Sequence, residues 1–280
     1  MRAQRVQTET TSEKADRYLA ACVRAVLANA PCPPWPFALS DTQATRLLPA
    51  RARFHGISVL LAQAPHGLAQ WPEIAAKPVR DEMRLSGIWE ELHRTRIVQL
   101  FEKLANAGVE MIVMKGTALA YLHYPDPAAR RRGDTDLLIR AKDRALTRTV
   151  LEAAGCFACE NPLGIYFQET WMFDGGAGLH HMIDLHWEPV DHAILQRVVN
   201  AQQYWQNPVP VPRLSPHVSA PDKIIMLIHG AINQASHARR GIFVDGDRVY
   251  GNHRLIWSVD YAHITRSFDR EDWERLADYC

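Results

Sequence analysis

The sequence predicts an α+β fold, with a small mixed β-sheet at its centre and helical regions on either side. Three observations predict it. Apolar residues recur at helical spacing before residue 107 and again after residue 219. Runs of strand length, some apolar and some alternating, cluster between residues 109 and 187. Between them the order is helix, strand, glycine turn, helix, strand, helix, hairpin. The expected division is an N-terminal helical region 1–90, a core 91–190 and a C-terminal helical region 191–280.

Residues 1–14 are polar and expected to fray. Leu19, Cys22, Val23, Val26 and Leu27 give a helix over Ala15–Ala30, which the prolines at 31, 33, 34 and 36 stop. Trp35 and Phe37 are placed to anchor that loop. Ser40-Asp41 opens a second helix with Leu47 and Leu48 on its buried face, and His55–Ala64 reads as a third. A long helix over Ala76–Ala107, with a break near Gly87, carries the stripe Trp89, Leu92, Ile97, Leu100, Phe101, Leu104, and Gly108 ends it.

Val109–Met114 is then a short strand, followed by Lys115-Gly116-Thr117 and the helical run Ala118-Leu119-Ala120-Tyr121. Gly116 lets the backbone approach a ligand. Thr117 reads as the helix cap, at a helix end whose free N–H groups suit a phosphate. Next comes Arg130-Arg131-Arg132-Gly133-Asp134-Thr135-Asp136-Leu137-Leu138-Ile139. Side chains alternate along a strand, so Asp134 and Asp136 share a face, with Cα atoms about 6.5–7 Å apart. Two carboxylates at that reach can share one divalent ion or hold two ions roughly 3.5–4 Å apart. A helix over Asp143–Ala154 leads to a hairpin of 165–173 and 179–187, turning at Asp174-Gly175-Gly176. On its second strand Met182, Asp184 and His186 share a face, which brings Asp184 beside the first two acids.

These motifs resemble the DNA polymerase β-type nucleotidyltransferase superfamily. Within it they are most similar to a bacterial family with a Lys-Gly-x-x-Leu turn and an Arg-x-x-x-Asp-x-Asp-Leu-Leu-Val-like strand. Here the motifs read Lys115-Gly116-Thr117-Ala118-Leu119 and Arg130 through Ile139, with Asp184 as third acid. The chain departs from the superfamily in having Gly116-Thr117 where Gly-Ser or Gly-Gly is usual. The resemblance implies a Mg²⁺- or Mn²⁺-dependent transfer of a nucleoside monophosphate from an NTP to a hydroxyl or phosphate acceptor, with release of pyrophosphate. It implies that Asp134, Asp136 and Asp184 hold the metal, that Lys115, Gly116, Thr117 and Arg130 contact the nucleotide, and that the source is bacterial. Two other readings of the same acids stand beside it: a metal-dependent phosphohydrolase, and a non-catalytic protein that binds a nucleotide or partner.

Composition narrows the acceptor. A net charge of +1, with 47% apolar and 22% charged residues, is that of a globular chain and not of a nucleic-acid coat. It points to a small molecule, peptide or protein. No apolar run reaches the roughly 18–20 residues that span a membrane, and residues 1–9 have no signal-peptide core, so the cytoplasm is the simplest compartment. His180, His181, His186 and His192 match no zinc spacing, and Cys156-Phe157-Ala158-Cys159 follows a helix where a redox pair would open one. His229, His237, Trp257 and Asp260 read as helix-packing residues. In the C-terminal region Pro208–Pro212 reads as an extended linker, with helices over Ser219–Ala235, Arg254–Arg266 and Arg270–Cys280 and a glycine-punctuated loop at Gly241–Gly251. The last helix has no C-cap signal, as in a truncated or fraying end.

Overall fold

A computed structural model describes residues 10–160, 167–176, 178–191, 193–244, 247–249 and 253–279 of the chain. The polar start of the sequence, Ile165 and Tyr166, His192 and part of the Gly241–Gly251 loop lie outside them. The chain forms two compact units, residues 1–86 with 254–259, and residues 87–253 with 260–280.

The first unit is helical. Its helices are α1 (Thr11–Leu27), α2 (Thr42–His55), α3 (Ser58–Gln63) and the opening turns of α4 (Glu73–Asn106). Thr10 and Glu13 close a capping box on α1, and Asp41 accepts the Ala44 N–H at the start of α2. His55 ends α2 instead of opening a third helix, because Gly56 at φ 72° takes the left-handed cap that stops it. Asp16 of α1 accepts two bonds from Arg51 and pairs with His55 at 3.0 Å, tying α1 to α2. Trp35 lies 5.5 Å from Trp71 and 6.2 Å from Tyr18, ring to ring, so the proline loop is anchored as its composition suggested.

The expected break at Gly87 does not occur. The helix runs unbroken from Glu73 to Asn106, since a lone glycine costs only about 1 kcal/mol against alanine and ends nothing.

The second unit carries all the described strands: β1 (Met111–Val113), β2 (Asp134–Ile139), β3 (Phe157–Ala158), β4 (Gln168–Gly176), β5 (Leu179–His186), β6 (Val209–Pro210), β7 (Ser219–Ala220), β8 (Ile242–Val244) and β9 (Asp247–Val249). Seven of them form one mixed sheet in the order β3-β4-β5-β2-β1-β7-β6. β2 runs antiparallel to β1 and parallel to β5, and β4 and β5 form the hairpin read from the sequence. The helices of this unit include the remainder of α4, α5 (Lys115–His123), α6 (Arg144–Ala153), α7 (Ala193–Gln196), α8 (Ala201–Gln206), α9 (Lys223–Arg240), the end of α10 (Leu255–Thr265) and α11 (Arg270–Ala277). The fold is thus α+β, a mixed sheet with helical regions flanking it.

The proline-rich stretch is not a free linker. Val209 and Pro210 pair with Ser219 and Ala220, and Ser219 pairs with Ile112, so the stretch forms the edge of the sheet, where a missing N–H is tolerated. The helix expected from Ser219 starts at Lys223, where Asp222 accepts from the Ile224 and Ile225 N–H groups. Ile112, Met114, Leu138, Val199, Tyr204 and Ile225 make a buried cluster on the acid-bearing face of β2, where Leu138 lies two residues beyond Asp136. On the reverse face Thr135 accepts or donates at 2.8 Å with the buried His93 of α4. No described helix is long and apolar enough to cross a membrane.

Candidate active site

Alternation and pairing together place the acids. Asp134 and Asp136 occupy one face of β2, and Asp136 is the direct register partner of Asp184 on the parallel neighbour β5. Asp134 pairs with Met182, which is 39% exposed, so this end of the sheet opens to solvent while Asp136 is buried. Carboxylate oxygens of Asp136 and Asp184 and a ring nitrogen of His186 all lie within 4.8 Å of one another. The structure therefore brings Asp136 and Asp184 together and adds His186, which the strand alternation had set on the same face.

The neighbours of each acid are specific. Asp136 Oδ1 accepts from Lys115 Nζ at 2.5 Å and lies 3.0 Å from His186 Nε2. Asp184 accepts from Thr170 Oγ1 at 2.7 Å and Gln168 Nε2 at 3.3 Å, both on β4. Those two residues went unnoticed in the sequence. The signal for them was the polar alternation Gln168-x-Thr170 in a strand destined to lie opposite Asp184.

Crowding of like charge sets the electrostatics. Burial, and then the charges of Asp136 and Asp184, push the Asp134 carboxyl up to about 7 against the pull of Lys115 and Arg132. Burial would also raise Asp136, but the Lys115 ammonium and the His186 hydrogen bond reverse it and hold that carboxyl far below the usual range. Burial acts to lower the Lys115 ammonium, and Asp136 more than offsets this, so Lys115 stays charged. Three carboxylates thus face one lysine, a surplus of negative charge and oxygen donors that suits a divalent cation. That is the observation on which a metal fits these residues.

The strand-to-helix turn differs in detail from its sequence reading. α5 starts at Lys115 with Met114 as its uncapped N-cap residue, so Thr117 lies within the first turn and is not the cap. Lys115 is held at φ 47°, a left-handed conformation costing a non-glycine residue roughly 1–2 kcal/mol. The preceding Met114 N–H donates to the Asp136 carbonyl at 2.9 Å, which fixes the turn against β2. Thr117 is buried beside β2. A side chain on Gly116 would meet Arg132 Cβ at 3.3 Å, so the close approach that glycine permits here is to the chain leading into β2.

The three arginines before the acids separate. Arg130 Nε donates to both oxygens of Asp260 at 2.7 and 3.0 Å, and its Nη1 donates to the Arg131 carbonyl. Tyr124 donates to the same Asp260 at 2.7 Å. Asp260, read from spacing as a packing residue, is a buried anchor for that arginine. Arg132 grips Glu90 of α4 through both terminal nitrogens, at 2.7 and 2.9 Å. Glu90 and His93 escaped the sequence reading, since their partners lie about forty positions along the chain. His229 of α9 bonds with Tyr204 of α8, and burial followed by the charge of Lys115 lowers its imidazole to about 3. Cys156 and Cys159 are free thiols.

Acids from two neighbouring parallel strands thus face a strand-to-helix turn that carries a lysine. The chain belongs to the family described as uncharacterised nucleotidyltransferases, whose model matches residues 41–280. Among solved structures it is similar to the solution structure of the antibiotic-resistance factor ANT(2'')-Ia. That likeness covers 66% of this chain and 89% of the other, at 14% identity and a TM-score of 0.44. No curated protein matches the chain.

Proposed function

We propose that the protein moves a nucleoside monophosphate from an NTP to a hydroxyl or phosphate group on a small molecule, peptide or protein, releasing pyrophosphate. Residues 91–190 are the catalytic core of this reading, with 1–90 and 191–280 flanking it. The observation that carries it is the register of Asp136 with Asp184 across two parallel strands, in a chain of nucleotidyltransferase family.

In the reaction the acceptor oxygen forms a bond to the α-phosphorus while the α–β bridging P–O bond breaks, and pyrophosphate leaves with that electron pair. Asp134, Asp136 and Asp184 are the residues to hold Mg²⁺ or Mn²⁺, which when bound supplies charge neutralisation at the phosphates. Asp184, held by Thr170 and Gln168, is oriented to take the acceptor proton. Lys115 is the counter-charge for the triphosphate. The first N–H groups of α5, at Lys115, Gly116 and Thr117, have no helical partner and favour a phosphate oxygen. Arg130, assigned to the nucleotide by its motif, acts in this reading as the brace that sets the approach to β2, since Asp260 holds its guanidinium.

The test is a panel of α-labelled NTPs with Mg²⁺ or Mn²⁺ and cell extract, read by mass spectrometry. The expected product is an acceptor heavier by one nucleoside monophosphate. Asp136→Asn should lower its formation at least about a hundredfold with the circular dichroism spectrum unchanged. Acceptor-independent release of phosphate would make the protein a hydrolase. Intact NTP under every condition would make it a binding protein. Either result overturns the proposal.

A further inference from the structure

The residue with no place in the reaction just described is His186. It is 1% exposed, at the inner end of the acid cluster, two positions beyond Asp184 on the same face of β5. Its Nε2 lies 3.0 Å from Asp136 Oδ1, and its Nδ1 is buried without a hydrogen-bond partner. An unpaired ring nitrogen does not by itself distinguish His186, since His123, His181 and His263 also leave ring nitrogens without a partner. His186 satisfies a single nitrogen, the one turned to the acids.

A ring nitrogen of His186 is one corner of the group in which Asp136, Asp184 and His186 offer donor atoms within 4.8 Å of one another, and Nε2 is the one within 3.0 Å of Asp136 Oδ1. Asp134 is not in that group. It stands at the more open end of the strand, opposite the exposed Met182. The pocket is therefore asymmetric along its depth, with oxygen donors outside and a mixed nitrogen–oxygen set inside.

We propose that His186 Nε2 is a metal ligand, and that Asp136, Asp184 and His186 form an inner two-carboxylate, one-imidazole position that prefers Mn²⁺ to Mg²⁺. Mg²⁺ is a hard ion that keeps oxygen and water ligands, whereas an imidazole donor strengthens binding of first-row transition ions. The outer position, built from carboxylate oxygens and completed by the triphosphate, remains suited to Mg²⁺. The inference rests on reading the acids as a metal site, and it assigns a residue and a selectivity that this reading does not contain.

Pulsed electron paramagnetic resonance of the full chain, loaded with less than one equivalent of Mn²⁺, tests it without an activity assay. The wild-type spectrum is expected to show electron spin-echo modulation from a directly bound imidazole nitrogen. Labelling histidine with ¹⁵N should change that pattern, and His186→Gln should remove it. The substitution should weaken Mn²⁺ at least by the roughly tenfold that losing a hydrogen-bond partner of a ligand costs, and weaken Mg²⁺, read by competition, much less. If His186→Gln does not fold, His186→Asn and the labelled wild type carry the decision. Mn²⁺ bound with no histidine nitrogen coupling, while Asp136→Asn abolishes binding, overturns the inference and leaves the proposed function standing. Mn²⁺ binding unaffected by Asp136→Asn overturns both.

Discussion

Asp136 Oδ1 has Lys115 Nζ and His186 Nε2 within 3.0 Å, and Arg130 binds both oxygens of Asp260 in a second buried charge cluster. The two clusters differ in what a substitution should do. Around Asp136 the charges are unbalanced toward the acids, so under the proposed function removing one of them should cost activity and not fold. At Arg130 the side chains of the pair are 10% and 4% exposed, and the match is one cation to one anion. Asp260→Asn leaves a buried guanidinium without its counter-charge and should cost about 3–5 kcal/mol in urea unfolding. The double change Arg130→Met with Asp260→Leu should return much of that loss, because it removes both charges at once. A single substitution without effect on stability would show that the pair is solvated. What spacing alone could reveal divides along the same line. The shared face of Asp134, Asp136, Asp184 and His186 was legible because a strand has a period of two and two of them sit in each of two runs. Asp260 was not, because its partner lies 130 positions earlier and nothing local distinguishes a buried anchor from a polar residue on a helix.

Elements were legible where their length gave the period room to show. α4, α9 and the β4–β5 hairpin are long, and their existence follows from pattern alone. β6 and β7 are two residues each, too short to alternate, and the prolines beside β6 mimic a linker. The start of α5 was misplaced by three residues because Lys115 takes a left-handed φ that no rule would grant a lysine. The start of α9 shows how much one cap can contribute. Asp222 accepts from two backbone N–H groups and also receives Arg275 of α11 at 2.8 Å. Asp222→Ala should therefore cost about 1 kcal/mol for the cap. Asp222→Ser, which keeps a capping oxygen and loses the charge, should restore most of it. Equal losses for the two variants, measured by thermal or urea unfolding, would assign the effect to the ion pair instead.

At the scale of the molecule, buried histidines held below their ordinary range should make the fold weaken in acid. Burial, together with the Lys115 charge, holds the His229 imidazole near 3, against 6.5 for an ordinary histidine. In the unfolded chain His229 takes up its proton as pH falls through 6.5, while the folded chain keeps it neutral until about 3. Its contribution is complete above pH 6.5 and is lost as pH drops between those values, by up to about 1.4 kcal/mol per unit. His55 in the first unit is lowered by burial with Asp16 opposing, so it loses stability in the same direction. Urea unfolding at pH 7 and pH 5 should give a smaller stability at the lower pH, and His229→Gln should flatten the difference. A steeper dependence in that variant would refute the assignment.

β2 has a hydrogen-bonded neighbour on each side, with Val113 opposite Leu137 and Asp184 opposite Asp136. A strand so hemmed in has no freedom to slide. Displacing it by one residue would swing both of its carboxylates through the sheet and bring Thr135 and Leu137 to the pocket in their stead. A single-residue insertion or deletion within 134–139 would thus undo the arrangement outright, whereas exchanging a side chain in place leaves the frame standing.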